Sequence, residues 1–134
     1  MPTSKVTYLG GLRTRCEHLR SGDSYLTDAP VDNNGKGEAF SPTDTVATAL
    51  ANCMLTMMGI KARDLGVELE GARAEVTKTM GTDPRRIVKI EVIMELPANI
   101  AESHRTILER TAMTCPVHFS LHPEIDKQVE FNWS

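Results

Sequence analysis

The chain reads as an α+β fold with the element order β-β-β-α-β-β-α-β, and three observations predict it. Strand-like alternation comes in runs joined by short turns. One long apolar segment carries both a helix start and a helix stop. No regular βαβαβ alternation follows that would build a doubly wound sheet. The 134 residues suit one domain, 1–134, large enough to bury a core without disulfide staples.

The elements follow in order. Residues 5–9, 12–19 and 24–27 alternate as half-buried strands, with a Ser-Gly-Asp turn at 21–23 before the third. Residues 28–39 are rich in turn formers and have no apolar period, so they are a loop. Ser41 is then a helix N-cap, Pro42 suits the first helical position, and Asp44 completes a capping-box-like start. That helix runs to about Leu65, before Gly66, and its apolar residues cover nearly every direction around the axis. A domain of this size seldom wraps such a helix completely, so part of it is expected to meet another subunit. Residues 67–80 and 86–95 alternate again around a turn at 81–84 and predict a hairpin. A second helix is expected over 100–114, a short helical turn over 116–121, and a closing strand over 127–133 with Val129, Phe131 and Trp133 on one face.

Composition narrows the function classes. Fifteen basic and eighteen acidic residues give a net charge of −3, interspersed without a basic stripe, which argues against a nucleic-acid partner. Three cysteines at irregular spacing, and a first stretch without a signal-peptide apolar run, predict a reducing cytoplasm. The apolar segment 46–60 is interrupted by Thr48, Asn52 and Thr56, and reads as too short and too polar for a membrane span. Gly35-x-Gly37 follows a loop and lacks the lysine of a phosphate loop, so no nucleotide or other cofactor is expected. His118 and His122 are four apart, but Pro123 limits the helix and no third metal ligand is evident. His104 has no nucleophile elbow to serve.

The residues most suited to chemistry are two cysteines in unlike settings. Cys53 lies inside an apolar helix, where a cysteine commonly behaves as a small buried hydrophobe. Cys115 precedes Pro116 and is a candidate N-cap, where backbone N–H groups favour a thiolate. If they meet, one thiolate could attack a peroxide and the other could resolve the sulfenic acid as a disulfide. Cys16, between Arg15 and Glu17 in a strand, reads as packing.

Residues 41–53, Ser-Pro-Thr-Asp-Thr-Val-Ala-Thr-Ala-Leu-Ala-Asn-Cys, place a proline eleven positions before a cysteine in a small-residue helix. With Cys-Pro-Val-His-Phe-Ser-Leu at 115–121, the chain resembles the OsmC/Ohr family of osmotically induced and organic-hydroperoxide-resistance proteins over its whole length. Asp-Ala-Pro at 28–30 and Asn-Gly-Lys-Gly-Glu-Ala-Phe-Ser-Pro at 34–42 resemble one OsmC-like branch. The resemblance implies an intertwined homodimer with two sheets around two long central helices and active sites at the interface. It implies a thiol-dependent peroxidase acting on organic hydroperoxides in oxidative stress defence, with Cys53 peroxidatic, Cys115 resolving, and a cellular dithiol as reductant. An OsmC-like redox or small-molecule-binding module with little turnover is the alternative. Met54, Met57 and Phe40 would form the apolar wall for the substrate, methionine being polarisable and adaptable although often plain core.

Family peroxidases also use an arginine and an acid. A guanidinium favours the thiolate, and a carboxylate holds the guanidinium fork in place. Arg13 is the first choice, after Gly10-Gly11, with Arg15, Arg85 and Arg86 as the others. The family acid commonly sits next to the proline, where this chain has Thr43; Asp44 is the nearest acid. Nine residues of helix put Asp44 about 13 Å along the axis from Cys53 and on the opposite face, so it could serve only the cysteine of an antiparallel partner. The alternative for Asp44 is a helix cap.

Overall fold

The computed structural model describes residues 1–134. They divide into two compact units, Met1–Val46 and Ala47–Ser134. In the first, β1 (Ser4–Gly10), β2 (Arg13–His18) and β3 (Ser24–Asp28) form the expected antiparallel meander. The β1–β2 turn needs left-handed backbone at Gly10, Gly11 and Leu12, which the two glycines adopt without steric cost. Register places Val6 opposite Cys16 and Cys16 opposite Tyr25, so these three share one face; Arg13 stands opposite Asp28 on the other. The loop after β3 contains one short 3-10 turn at Val31–Asn33 and returns at Phe40, whose carbonyl accepts from the Asp28 N–H at 3.0 Å.

Helix α1 spans Pro42–Leu65, and its start is a reciprocal capping box. The Asp44 N–H donates to Ser41 Oγ and the Ser41 N–H donates to Asp44 Oδ2, both at 3.0 Å. Gly66, at φ +73°, ends it in a Schellman motif: the Gly66 N–H donates to Arg63 O and the Val67 N–H to Ala62 O. At 24 residues α1 is long and apolar enough to cross a membrane by length and composition, which corrects the expectation that it is too short and too polar. A core helix passes the same test, and Ala47, Leu50, Ala51, Met54, Met58 and Ala62 form its buried stripe.

In the second unit β4 (Arg73–Gly81) pairs antiparallel with β5 (Arg86–Leu96), and β6 (Asp126–Trp133) pairs parallel with β5. Residues 67–72, expected as the start of the hairpin strand, are not in the ladder. They alternate in burial, but Gly71 at φ +90° and the Ala72 N–H bonded to Leu69 O turn the chain there. Ile90, Val92, Met94 and Leu96 project from one face of β5 into a core with Leu50, Met54, Met58 and Leu108. Fully burying each large side chain is worth about 1.5–3 kcal/mol. The β5–β6 crossover carries α2 (Glu102–Ala112) and α3 (Pro116–Ser120). Trp133 Nε1 donates to Glu109 Oε2 at 2.8 Å, and the Arg105 guanidinium lies 5.5 Å from the Trp133 ring, so α2 is tied to the end of β6.

Candidate thiol site

Cys53 sits mid-way along α1, half-buried, outside the core-facing stripe. It belongs to a second apolar row, Val46, Ala49, Cys53, Met57 and Ile60, at three- and four-residue steps. Cys115 is completely buried at the turn between α2 and α3. Pro116 forces the preceding residue into an extended conformation, and Cys115 adopts it at φ −74°, ψ 152°. Its sulfur thereby becomes the N-cap of α3, accepting from the His118 N–H at 3.4 Å.

Cys53 lies near enough to Cys115 to influence its thiol. Burial pushes the Cys115 thiol up, and a hydrogen bond to Cys53 together with the charge Cys53 can carry pushes it further; the amides of His118 and Val117 oppose this. Cys115 therefore holds its proton more firmly than an ordinary thiol. All three cysteines are free thiols.

Arg13, at the start of β2, is half-buried, and its Nε is buried without an acceptor. Arg15 is exposed. Arg86 is occupied in its own turn, with Nη1 donating to Thr82 O at 3.0 Å and Pro84 O at 2.8 Å. Asp44 has its Oδ2 committed to the capping box. Met57 is half-buried one turn from Cys53, whereas Met54 is wholly enclosed in the core and packs there. Phe40, in the first unit, is exposed and closes an isolated bridge with Thr27. Cys16 stands opposite Tyr25 in the ladder, and its thiol, ahead of burial, raises the phenol's pKa. His118 has a buried Nδ1 without a partner, and its imidazole is pushed down by burial and then by the Lys127 charge. His122 Nδ1 accepts from the Glu124 N–H at 3.1 Å, a turn contact. A groove of about 390 Å³ is lined by Leu55, Gly59, Ala62, Val67 and Leu69, and neither thiol lines it.

Asp28, in the Asp-Ala-Pro segment, is 1% exposed and accepts from the Glu38 N–H at 3.0 Å, a buried charged residue that the sequence reading left in a loop.

Residues 35–130 match the family described as OsmC-like protein. The chain belongs to the OsmC-like family. A crystal structure from Psychrobacter arcticus, provisionally described as an osmotic stress induced and detoxification response protein, is 52% identical to this OsmC-like chain. Its TM-score is 0.94, over 98% of this chain and 96% of that one. An organic hydroperoxide resistance protein OsmC from Legionella pneumophila shares the fold at 15% identity and TM-score 0.76, covering 98% of each chain. A Vibrio cholerae structure, provisionally named an organic hydroperoxide resistance protein and holding captopril in one of its active sites, shares it at 18% identity and TM-score 0.74. It covers 98% of this chain and 92% of that one. A comparison with curated proteins gives no match.

Proposed function

We propose that this OsmC-like protein is a cytoplasmic, homodimeric thiol peroxidase that reduces organic hydroperoxides, with Cys53 peroxidatic and Cys115 resolving. The observation that carries the reading is the fully buried Cys115 thiol at the N-cap of α3, held protonated by burial and under the influence of Cys53. The Cys53 thiolate attacks the terminal peroxide oxygen and the O–O bond breaks. The alkoxide takes a proton and leaves as the alcohol, and Cys53 becomes a sulfenic acid. Cys115 then attacks the Cys53 sulfur; its proton leaves with the hydroxyl as water, and an S–S bond forms. A cellular dithiol returns both thiols by exchange. Holding its proton until that step keeps Cys115 from competing for peroxide.

Arg13 is the guanidinium proposed to favour the attacking thiolate, supported by its half-buried position and unfilled Nε. Met57 and Phe40 are proposed as substrate contacts. A dimer is supported by the exposed apolar positions Val6, Tyr8, Tyr25 and Ile60, more apolar surface than one subunit of this size ordinarily leaves to water. A second reading, a binding module of the same fold with little turnover, is favoured by Thr43 at the position where the acid is expected.

Titration of the reduced protein with cumene hydroperoxide, followed by mass mapping of the thiols, separates the two. The peroxidase reading expects one equivalent to yield a Cys53–Cys115 disulfide, and no disulfide with Cys115→Ser. Unreacted thiols at stoichiometric peroxide would sink it.

A further inference from the structure

Within the larger unit, α3 is the element least able to stand by itself. At five residues it is far below the roughly 12–15 at which a helix begins to hold from its own backbone bonds, so its order comes from what surrounds it. Val117 and Leu121 pack on the core, and the Cys115 sulfur accepts from the His118 N–H at 3.4 Å. Whatever displaces His118 therefore disturbs the bond that fixes the Cys115 thiol.

The His118 side chain is held in a state that acid removes. Its Nδ1 is buried and has no hydrogen-bond partner. A neutral imidazole tolerates this by carrying its proton on Nε2 and leaving a lone pair at Nδ1. A protonated one does not, because both ring nitrogens then donate and a buried, charged N–H faces no acceptor. Lys127, half-buried on β6 with its ammonium donating to Ile125 O at 3.3 Å, adds a like charge. Burial first and Lys127 second push the imidazole's pKa down, and no carboxylate counters them; Glu124 and Asp126, before and at the start of β6, are exposed. Cys115 is the other titratable group at this turn, and it stays neutral in acid because burial pushes its thiol up. The ring's edge-on neighbour, Phe119 at 5.6 Å between centroids, is itself 70% exposed, so a swing outward costs little packing.

We propose that His118 is an acid-sensitive latch on the Cys115 turn: protonation drives its ring into solvent, α3 opens, and the buried Cys115 thiol becomes reachable. An imidazole whose pKa is lower in the closed turn than in the open one takes its proton preferentially when the turn is open. Opening is therefore least favoured above about pH 6.5, the ordinary histidine value, and gains as pH falls from there toward the closed-state pKa. The latch goes beyond peroxide chemistry. It works equally in a protein of this fold with no turnover, and it sets when the second thiol can exchange with a dithiol.

The test is labelling of the reduced, full-length protein with a pyridyl disulfide, a reagent that takes up thiols in acid as well as at neutral pH. Mass mapping separates Cys115 from Cys16 and Cys53. The labelling rate of the urea-unfolded protein at each pH supplies the intrinsic reactivity, and the ratio of unfolded to native rate is the protection of Cys115. Between about pH 7.5 and about pH 5 that protection is expected to fall, by up to about tenfold per pH unit below the ordinary histidine pKa, the most that one proton can contribute. His118→Asn keeps the backbone N–H for the Cys115 sulfur and a polar side chain but does not titrate, so its protection should be flat. Constant protection in the native protein, or the same fall in His118→Asn, would overturn the latch. Should His118→Asn fail to fold, the imidazole of the native protein is followed by NMR over the same range. The fall in protection is expected to track the His118 titration, and a fall while His118 stays neutral would overturn the latch as well. Oxidation of Cys53 by hydroperoxide is a separate measurement, so failure of the peroxidase reading and failure of the latch are told apart.

Discussion

The two units differ in what they bury. In Ala47–Ser134, fourteen hydrophobic side chains are buried, from both stripes of contact between α1 and β5 to Leu108 and Cys115. In Met1–Val46 the buried residues are polar, Thr27, Asp28 and Ser41, while Val6 and Tyr8 are 62% and 64% exposed. The larger unit carries its own hydrophobic driving force and holds the thiol pair inside it. The smaller is a meander whose apolar face is left over, as in a sheet that needs a second surface to be stable. One unit thus supplies its own hydrophobic driving force, whereas the order of the other depends on what covers it.

That contrast can be broken most sharply in the core. Met54→Ala is expected to cost about 2–5 kcal/mol, the range for emptying a fully buried site, and the cost should not depend on protein concentration. Denaturant midpoints at two concentrations measure it. The paired substitution Val6→Ser and Tyr8→Ser should behave oppositely. Its cost should be small in dilute protein and grow with concentration if this is the face of the proposed dimer, and sedimentation should show dissociation. A loss within about 0.5 kcal/mol at every concentration would make that face ordinary surface.

Cys115 gives a smaller, pH-dependent effect. Its folded pKa is raised, chiefly by burial, so the folded state keeps a proton that the unfolded chain releases near pH 8.5. The contribution is complete below that pH and is lost as pH climbs toward the folded value. Cys115→Ser retains a capping oxygen but not the titration, so its stability curve should be flatter between pH 8 and pH 10, about the span involved. Parallel curves for the two proteins would contradict the assignment. The smallest effect is expected from Asp44→Ala, about 1 kcal/mol of stability with turnover retained. If turnover is lost instead, and returns on mixing with Cys53→Ser chains, Asp44 acts across the interface.

The sequence is most transparent where local chemistry decides. Ser41, Pro42 and Gly66 bracket α1 at the residues where it starts and stops, because caps are local hydrogen bonds. Pro116 likewise announces Cys115 as a cap. Residues 67–72 misled because half-burial alternates with period two whether or not a ladder forms, and only the neighbouring backbone decides that. The nearness of Cys53 to Cys115 was implied by resemblance alone, since no spacing rule connects a mid-helix thiol to a turn 62 residues on. Asp28 was hidden for a related reason. Its standing opposite Arg13 depends on strand register, which the turn at Ser21–Asp23 sets and composition does not.

The parallel pairing of β6 with β5 has a consequence for how this protein is made. Lys89 meets Asp126 across 37 residues, and no hairpin can bring parallel neighbours together early. β6 is the last element in the chain, so Cys53 leaves the ribosome before the strand that completes the sheet can pair. Long-range parallel closure is slow. The newly made chain therefore passes through an interval in which its free cysteines are reachable by oxidants before the core closes over them. On the proposed peroxidase reading, the protein is most vulnerable to its own substrate while it is being synthesised.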